Sequence, residues 1–205
     1  MKKTVLSLLA AATLAVLGSF TEGGYKVGDK AADFKLQNTI DNKTVSMADY
    51  KDAKGIIVVF TCNHCPFAQK YESRIMALDK KYKSKGFPVI AISPNDPAVV
   101  ADDSPEKMQK LAKEKGYTFP YLFDETQQTA KTYGATKTPH VYLLLKEKSD
   151  YIVKYIGAID DNADDAGAVK EKYVESAVDN LLAGKAVTPE TTKAIGCGIK
   201  WKKTN

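Results

Sequence analysis

The chain is short of several things, and each shortage narrows what it does. Among 205 residues there is one arginine, Arg74, and three cysteines, Cys62, Cys65 and Cys197. No internal repeat and no low-complexity tract is visible, which excludes repeat arrays and tail-like segments. No apolar run is long enough for a membrane-spanning helix. The uncharged apolar stretch Val5 to Leu17 falls short of the roughly 20 residues a span needs. No cysteine follows it, which argues against a lipid-anchored lipoprotein. Short runs of each sign are interspersed along the chain. Lysines alternate with acids, as in Lys80-Lys81-Tyr82-Lys83 and Asp160-Asp161, which describes a solvated surface and excludes a nucleic-acid patch.

What is present begins with an export signal. Met1-Lys2-Lys3 is a short basic start, Val5 to Leu17 is the apolar stretch, and Val16-Leu17-Gly18 offers small residues for cleavage near Gly18 or Ser19. Residues 1–19 are therefore read as a cleaved signal peptide, and the mature protein as periplasmic or otherwise extracytoplasmic, with no stable membrane insertion. Losing Lys2 and Lys3 lowers the net charge from +5 to +3. Outside a reducing cytosol a close cysteine pair can rest as a disulfide.

Such a pair exists. Cys62-Asn63-His64-Cys65 follows the apolar run Gly55 to Phe60. That run predicts a central strand covered on both faces. Phe67, Tyr71, Ile75, Leu78 and Tyr82 then recur at helical spacing through Lys83, with Pro66 tolerated in the first turn. Phe87 to Ile92 predicts a second buried strand, and Ser93 to Asp103 an exposed loop. Ser104-Pro105-Glu106 is a helix start, closed by Gly116. A short strand over Phe119 to Phe123 and a short helix over Thr126 to Tyr133 follow. His140 to Leu145 and Tyr151 to Ile156 predict a hairpin, and Ala166 to Leu182 a last helix. Upstream, Asp33 to Leu36 and Thr44-Val45 read as two short strands. The element order predicts an α/β sandwich, a central mixed β-sheet flanked by helices. Residues 25–185 form one domain, and 186–205 a polar tail with an apolar island from Ile195 to Trp201.

The chemistry predicted is dithiol–disulfide exchange. Cys62 is placed at a helix N-terminus, where free N–H groups favour a thiolate, and is assigned as the more exposed nucleophile of lowered pKa. Cys65, one turn into the helix, is the resolving thiol. His64, as an imidazolium, would stabilise the Cys62 thiolate. Thr138-Pro139 precedes a strand; the element order resembles a thioredoxin-like fold, in which a cis-Pro at this place would sit against the cysteines, with the Thr138 backbone free to pair with an extended substrate. His140 is expected as a core or edge histidine. Cys197, between two glycines, reads either as a small buried residue or as a third thiol exchanging with Cys62 when the tail folds back.

From about Gly28 to the C-terminus the chain resembles the redoxin branch of the thioredoxin superfamily, in its peroxiredoxin-like group with a Cys-X-X-Cys pair. The resemblance rests on Phe60 to Pro66, Ser93-Pro94-Asn95-Asp96, Asp103 to Met108, Phe119 to Thr126, Thr138-Pro139, Gly157 to Asp161 and Ile195 to Trp201. It implies a thioredoxin-like fold. Thioredoxin itself has Trp before the first cysteine, where Thr61 stands here, and a buried carboxylate in the preceding strand, which Ile56 to Val59 lack. Peroxiredoxins carry Pro-X-X-X-Thr/Ser-X-X-Cys, which neither Cys62 nor Cys65 completes. They also need an arginine to polarise the peroxide bond, and Arg74 stands alone on the helix.

The expected function is therefore an exported thiol–disulfide oxidoreductase acting on protein thiols or disulfides with a redox partner protein. It needs no cofactor, and its site is Cys62, Cys65, His64, Thr138 and Pro139. The alternatives are a weak thiol peroxidase and a thioredoxin-like Cu(I) or metal chaperone using the cysteines with His64 or His140.

Overall fold

The computed structural model describes residues 23–203. The predicted signal segment lies outside the described residues. Two short strands, β1 (Lys35–Asn38) and β2 (Thr44–Ser46), open the fold as an antiparallel pair. They join the main sheet by docking β1 on β5 (Tyr121–Phe123). The centre is β3 (Gly55–Phe60), buried at every position. It runs parallel to β4 (Val89–Ser93) and antiparallel to β7 (His140–Glu147), and β8 (Asp150–Gly157) completes the far edge. Among the described residues the sheet has seven strands in the order β2-β1-β5-β4-β3-β7-β8. This is the mixed sheet flanked by helices that the element order predicts.

Alternation along β3 sorts the core into two layers. Ile57 and Val59 face α1 (Pro66–Tyr82), which contributes Tyr71, Ile75, Leu78 and Tyr82. The same layer holds Met108 and Ala112 of α2 (Pro105–Lys115), and Val174, Ala177 and Val178 of α4 (Tyr173–Leu182). Ile56, Val58 and Phe60 face the other way, onto Ala130 and Tyr133 of α3 (Gln128–Tyr133) and onto Phe34 and Met47. The stripe read from the sequence for α1 is thus the face that lies on the sheet.

Three boundaries differ from the sequence expectation. The last helix starts at Tyr173, not Ala166. Asp161 accepts the Lys170 N–H on its side chain and donates its own N–H to Glu171, which holds this segment extended. α3 starts at Gln128 because Gln127 adopts a left-handed conformation, φ 60°, closing a turn on Asp124. The segment Ser93 to Asp103 is the exposed loop expected only in its middle, where Ala98, Val99, Ala101 and Asp102 are exposed; its two ends are buried. Ser93 is buried as the last residue of β4, and Asn95 and Asp103 are buried because their side chains serve the turn that follows β3.

The chain beyond α4 returns across the molecule. Ile156 donates its N–H to Glu190 and accepts from Thr192. A two-residue strand β9 (Cys197–Gly198) then pairs antiparallel with β6 (Lys137–Thr138), matching Thr138 with Cys197. Ile199 is buried, while Ile195 and Trp201 stay exposed. Among the described residues no helix is long and apolar enough to cross a membrane.

At Gly55 a Cβ would run into the Leu144 carbonyl and the Phe87 ring, between two paired strands that have no room to shift. Gly55→Ala is therefore expected to destabilise the protein by roughly 1–3 kcal/mol. The check is a lowered urea midpoint with an unchanged slope.

Candidate active site

The turn after β3 carries the two cysteines, but the helix begins later than the sequence reading placed it. α1 starts at Pro66, and Cys65 is its N-cap. Cys62 therefore precedes the helix, not at its first N–H groups, and Cys65 stands at the helix mouth, not one turn inside. Both thiol positions are buried: Cys62 is 5% exposed and Cys65 fully covered.

The turn is shaped by one carboxylate. Asp103 ends a short 3-10 turn (Ala101–Asp103) just before α2, and its side chain has no solvent exposure. Its Oδ1 accepts the backbone N–H of Asn63 at 2.7 Å and of His64 at 3.1 Å. Its Oδ2 lies 2.5 Å from His64 Nδ1 and accepts from Asn95 Nδ2 at 2.8 Å. Asn63 is further tied by its side-chain N–H to the Asp102 carbonyl and by its Oδ1 to the Tyr121 hydroxyl. A buried carboxylate is stable only when so many donors surround it.

Thr138 closes the site from the other side. Its peptide bond to Pro139 is cis, as the element order led us to expect. Cys62 Sγ lies 3.2 Å from Thr138 Oγ1, and Cys65 Sγ lies 3.2 Å from the Thr138 carbonyl oxygen. His64 Nδ1 is 3.7 Å from Cys62 Sγ. All five residues singled out in the sequence thus meet in one place. His140 does not join them. It pairs with Phe60 in the sheet, accepts the Thr136 N–H on Nδ1 and packs on the Tyr142 ring.

Two expectations are corrected. Cys65 is bonded to Cys197, with Cα atoms 6.0 Å apart, and Cys62 is the free thiol. Cys197 is thus neither a spare residue nor a partner of Cys62 here. The Cys62 thiol is also not lowered in pKa. Burial first, and the nearby Asp103 carboxylate second, push it up to about 11, against the lowering effects of Thr138, the Cys65 N–H and Asn95. The helix end that should have stabilised a thiolate lies three residues further on, and desolvation wins.

The sequence reading missed Asp103 and Asn95 as site residues. Both fell inside the stretches that carry the family resemblance, yet neither has a local signature, since their partners lie about 40 residues upstream or in the tail. Cys62, His64 and Asp103 also place one thiol, one imidazole and one carboxylate oxygen within 4.8 Å of one another, a set a metal ion could use. Arg74 is committed elsewhere. Its Nη1 donates to both oxygens of Asp160, at 2.9 and 2.8 Å, and to the Asn162 carbonyl.

Comparison with known proteins agrees with this architecture. The AhpC/TSA family model matches residues 27–161. A thiol–disulfide oxidoreductase, ResA, of Oceanobacillus iheyensis is 26% identical over 145 residues, covering 68% of this chain and 71% of that protein. The crystal structure of an uncharacterized conserved protein from Geobacillus kaustophilus superposes with a TM-score of 0.81 at 38% identity, covering 88% of this chain and 94% of the other. The exposed lipoprotein thioredoxin of Streptococcus pneumoniae shares the fold, with a TM-score of 0.54 at 19% identity, covering 75% and 99%.

Two titrations follow. With Cys65–Cys197 oxidised, Cys62 should alkylate slowly with iodoacetamide at pH 7, and about tenfold faster per pH unit up to pH 10, because only the thiolate reacts. A rate already level at pH 7 would contradict the raised thiol. His140 is held neutral by burial, its pKa lowered to about 4. The unfolded chain takes up that proton first, near pH 6.5. His140 therefore contributes fully above that value, and stability falls as pH drops toward 4, by roughly 3 kcal/mol in all. In His140→Gln the denaturation midpoint should vary less over this window.

Proposed function

We propose that this chain, which belongs to the AhpC/TSA family, is a thiol–disulfide oxidoreductase acting on protein disulfides or dithiols. The observation that carries the reading is the convergence of Cys62 and Cys65 on Thr138, the residue before the cis-Pro139 and part of a strand edge that accepts an extended segment. A dithiol beside such an edge holds a substrate backbone while its sulfur is attacked.

The steps balance without a cofactor. The Cys62 thiolate attacks one sulfur of a substrate disulfide, and the other substrate sulfur leaves as a thiolate. The Cys65 thiolate then attacks Cys62 Sγ and releases the first substrate sulfur. Two electrons pass to the substrate, and the protein keeps a Cys62–Cys65 disulfide. His64 and Thr138 flank the attacking sulfur, and Asp103 holds His64 and the turn in place. Cys197 packs against the small cluster of Cys62, Cys65 and Ala68. A form with the tail displaced admits water and restores the thiolate.

The protein works outside the cytoplasm, on the strength of the basic start and apolar stretch in residues 1–19, and a partner protein resets its thiols. Efficient peroxidase activity is disfavoured because the one arginine is bound to Asp160. The Cys62–His64–Asp103 cluster favours a second reading, soft-metal handling, but the Asp103 oxygens already have protein partners.

Reduction of insulin disulfides separates the two. Wild-type protein should catalyse it, Cys62→Ser should lose it by at least about 100-fold, and Cys65→Ser should accumulate a mixed disulfide on Cys62. Tight stoichiometric Cu(I) binding with no reductase activity would instead favour metal handling.

A further inference from the structure

We infer that Cys197 is a third redox-active cysteine, which takes the disulfide over from Cys62–Cys65 and presents it, as Cys65–Cys197, to an external thiol. The inference rests on the exchange reaction proposed above and extends it by one step.

The first argument is connectivity. Cys65 is bonded to a residue 132 positions away, while Cys62, three residues away, is left as a thiol. The second is that the tail has a seat of its own, independent of the disulfide. Thr138 pairs with Cys197, and Ile199 donates its N–H to the Thr136 carbonyl and is buried. Lys200 donates its N–H to Asn95 Oδ1 at 2.8 Å, and its carbonyl accepts from Gln127 Nε2 and from the Asp96 N–H. Gln127 Oε1 in turn accepts the Lys202 N–H. Gly196 lies so close to the Thr138 carbonyl that any Cβ would collide with it. A segment seated this way delivers its thiol at high effective concentration.

The third argument is access. Cys65 is fully covered and Cys62 nearly so, whereas Cys197 is half-buried. Of the two sulfurs in the Cys65–Cys197 bond, Cys197 is the one an outside thiol can reach. Seating the tail also fills the strand edge at Thr138 that a substrate would use. Substrate and reductant therefore meet different forms of the protein: substrate when the tail is away, reductant when it is docked.

The handover conserves electrons. The Cys197 thiolate attacks Cys65 Sγ of the Cys62–Cys65 bond, the Cys65–Cys197 bond forms, and Cys62 leaves as a thiolate and takes a proton. An external thiolate then attacks Cys197 Sγ and Cys65 leaves as a thiolate. A second external thiol resolves the adduct on Cys197, giving three protein thiols and one external disulfide.

The test oxidises the reduced full chain with one equivalent of a peptide disulfide, quenches with acid at successive times, alkylates free thiols and maps the bonds by mass spectrometry. Cys62–Cys65 should appear first and give way to Cys65–Cys197. Re-reduction by glutathione should be at least tenfold slower in Cys197→Ser. The same slowing is expected in Gly196→Val, which keeps all three thiols but unseats the tail. In oxidised Cys62→Ser, which can hold only Cys65–Cys197, glutathione should be captured on Cys197. The relay is overturned if wild type stops at Cys62–Cys65, if both variants are re-reduced at the wild-type rate, or if the adduct forms on Cys65. These results are distinct from failure of the exchange reaction itself, which would show as insulin reduction persisting in Cys62→Ser.

Discussion

One buried carboxylate organises the site. Asp103 receives two backbone N–H groups of the cysteine turn, the His64 ring and the Asn95 amide, with no exposure to water. Remove that charge and the turn loses its anchors while four polar groups lose their partner, a situation buried sites tolerate poorly. Asn95 extends the network by accepting from the tail at Lys200. The carboxylate is thus linked by hydrogen bonds to the cysteine turn on one side and to the docked C-terminus on the other.

That arrangement disfavours ionisation of the free thiol in this state. An unpaired cysteine near a carboxylate and shielded from water resists ionisation, and the few donors around Cys62 do not offset the loss of solvent. Thioredoxin-like chemistry needs the opposite condition at the moment of attack. The tail is placed to reconcile the two under the proposed relay, since it packs Cys197 against the cysteine cluster and occupies the strand edge that a substrate would use. On the proposed relay, reactivity is set by how the site is covered rather than by the cysteine motif alone.

Much of the architecture was legible beforehand because its signals are periodic and local. The all-apolar run at Gly55 to Phe60 reads as a central strand, and the Tyr71, Ile75, Leu78 spacing reads as the buried face of α1. Ser104 and Gly116 bracket α2 by capping and by a left-handed C-terminal residue, φ 68°. Reading the element order as a thioredoxin-like fold placed Thr138-Pro139 at the cysteines, and its bond is cis. The misreadings arose where a side-chain hydrogen bond overrides local preference: Asp161 accepting the Lys170 N–H nine residues on, and Asp103, at the end of a polar segment, turned inward by the N–H groups of Asn63 and His64.

The sequence by itself determined the fold class, the cysteine turn and its neighbours, because strands, helices and a two-residue cysteine spacing are written in contiguous residues. Only the tertiary structure decided which sulfurs bond, which carboxylate supports the site and in which direction the Cys62 pKa moves. Those depend on through-space proximity between segments 40 to 130 residues apart, and on desolvation, which a linear pattern does not encode.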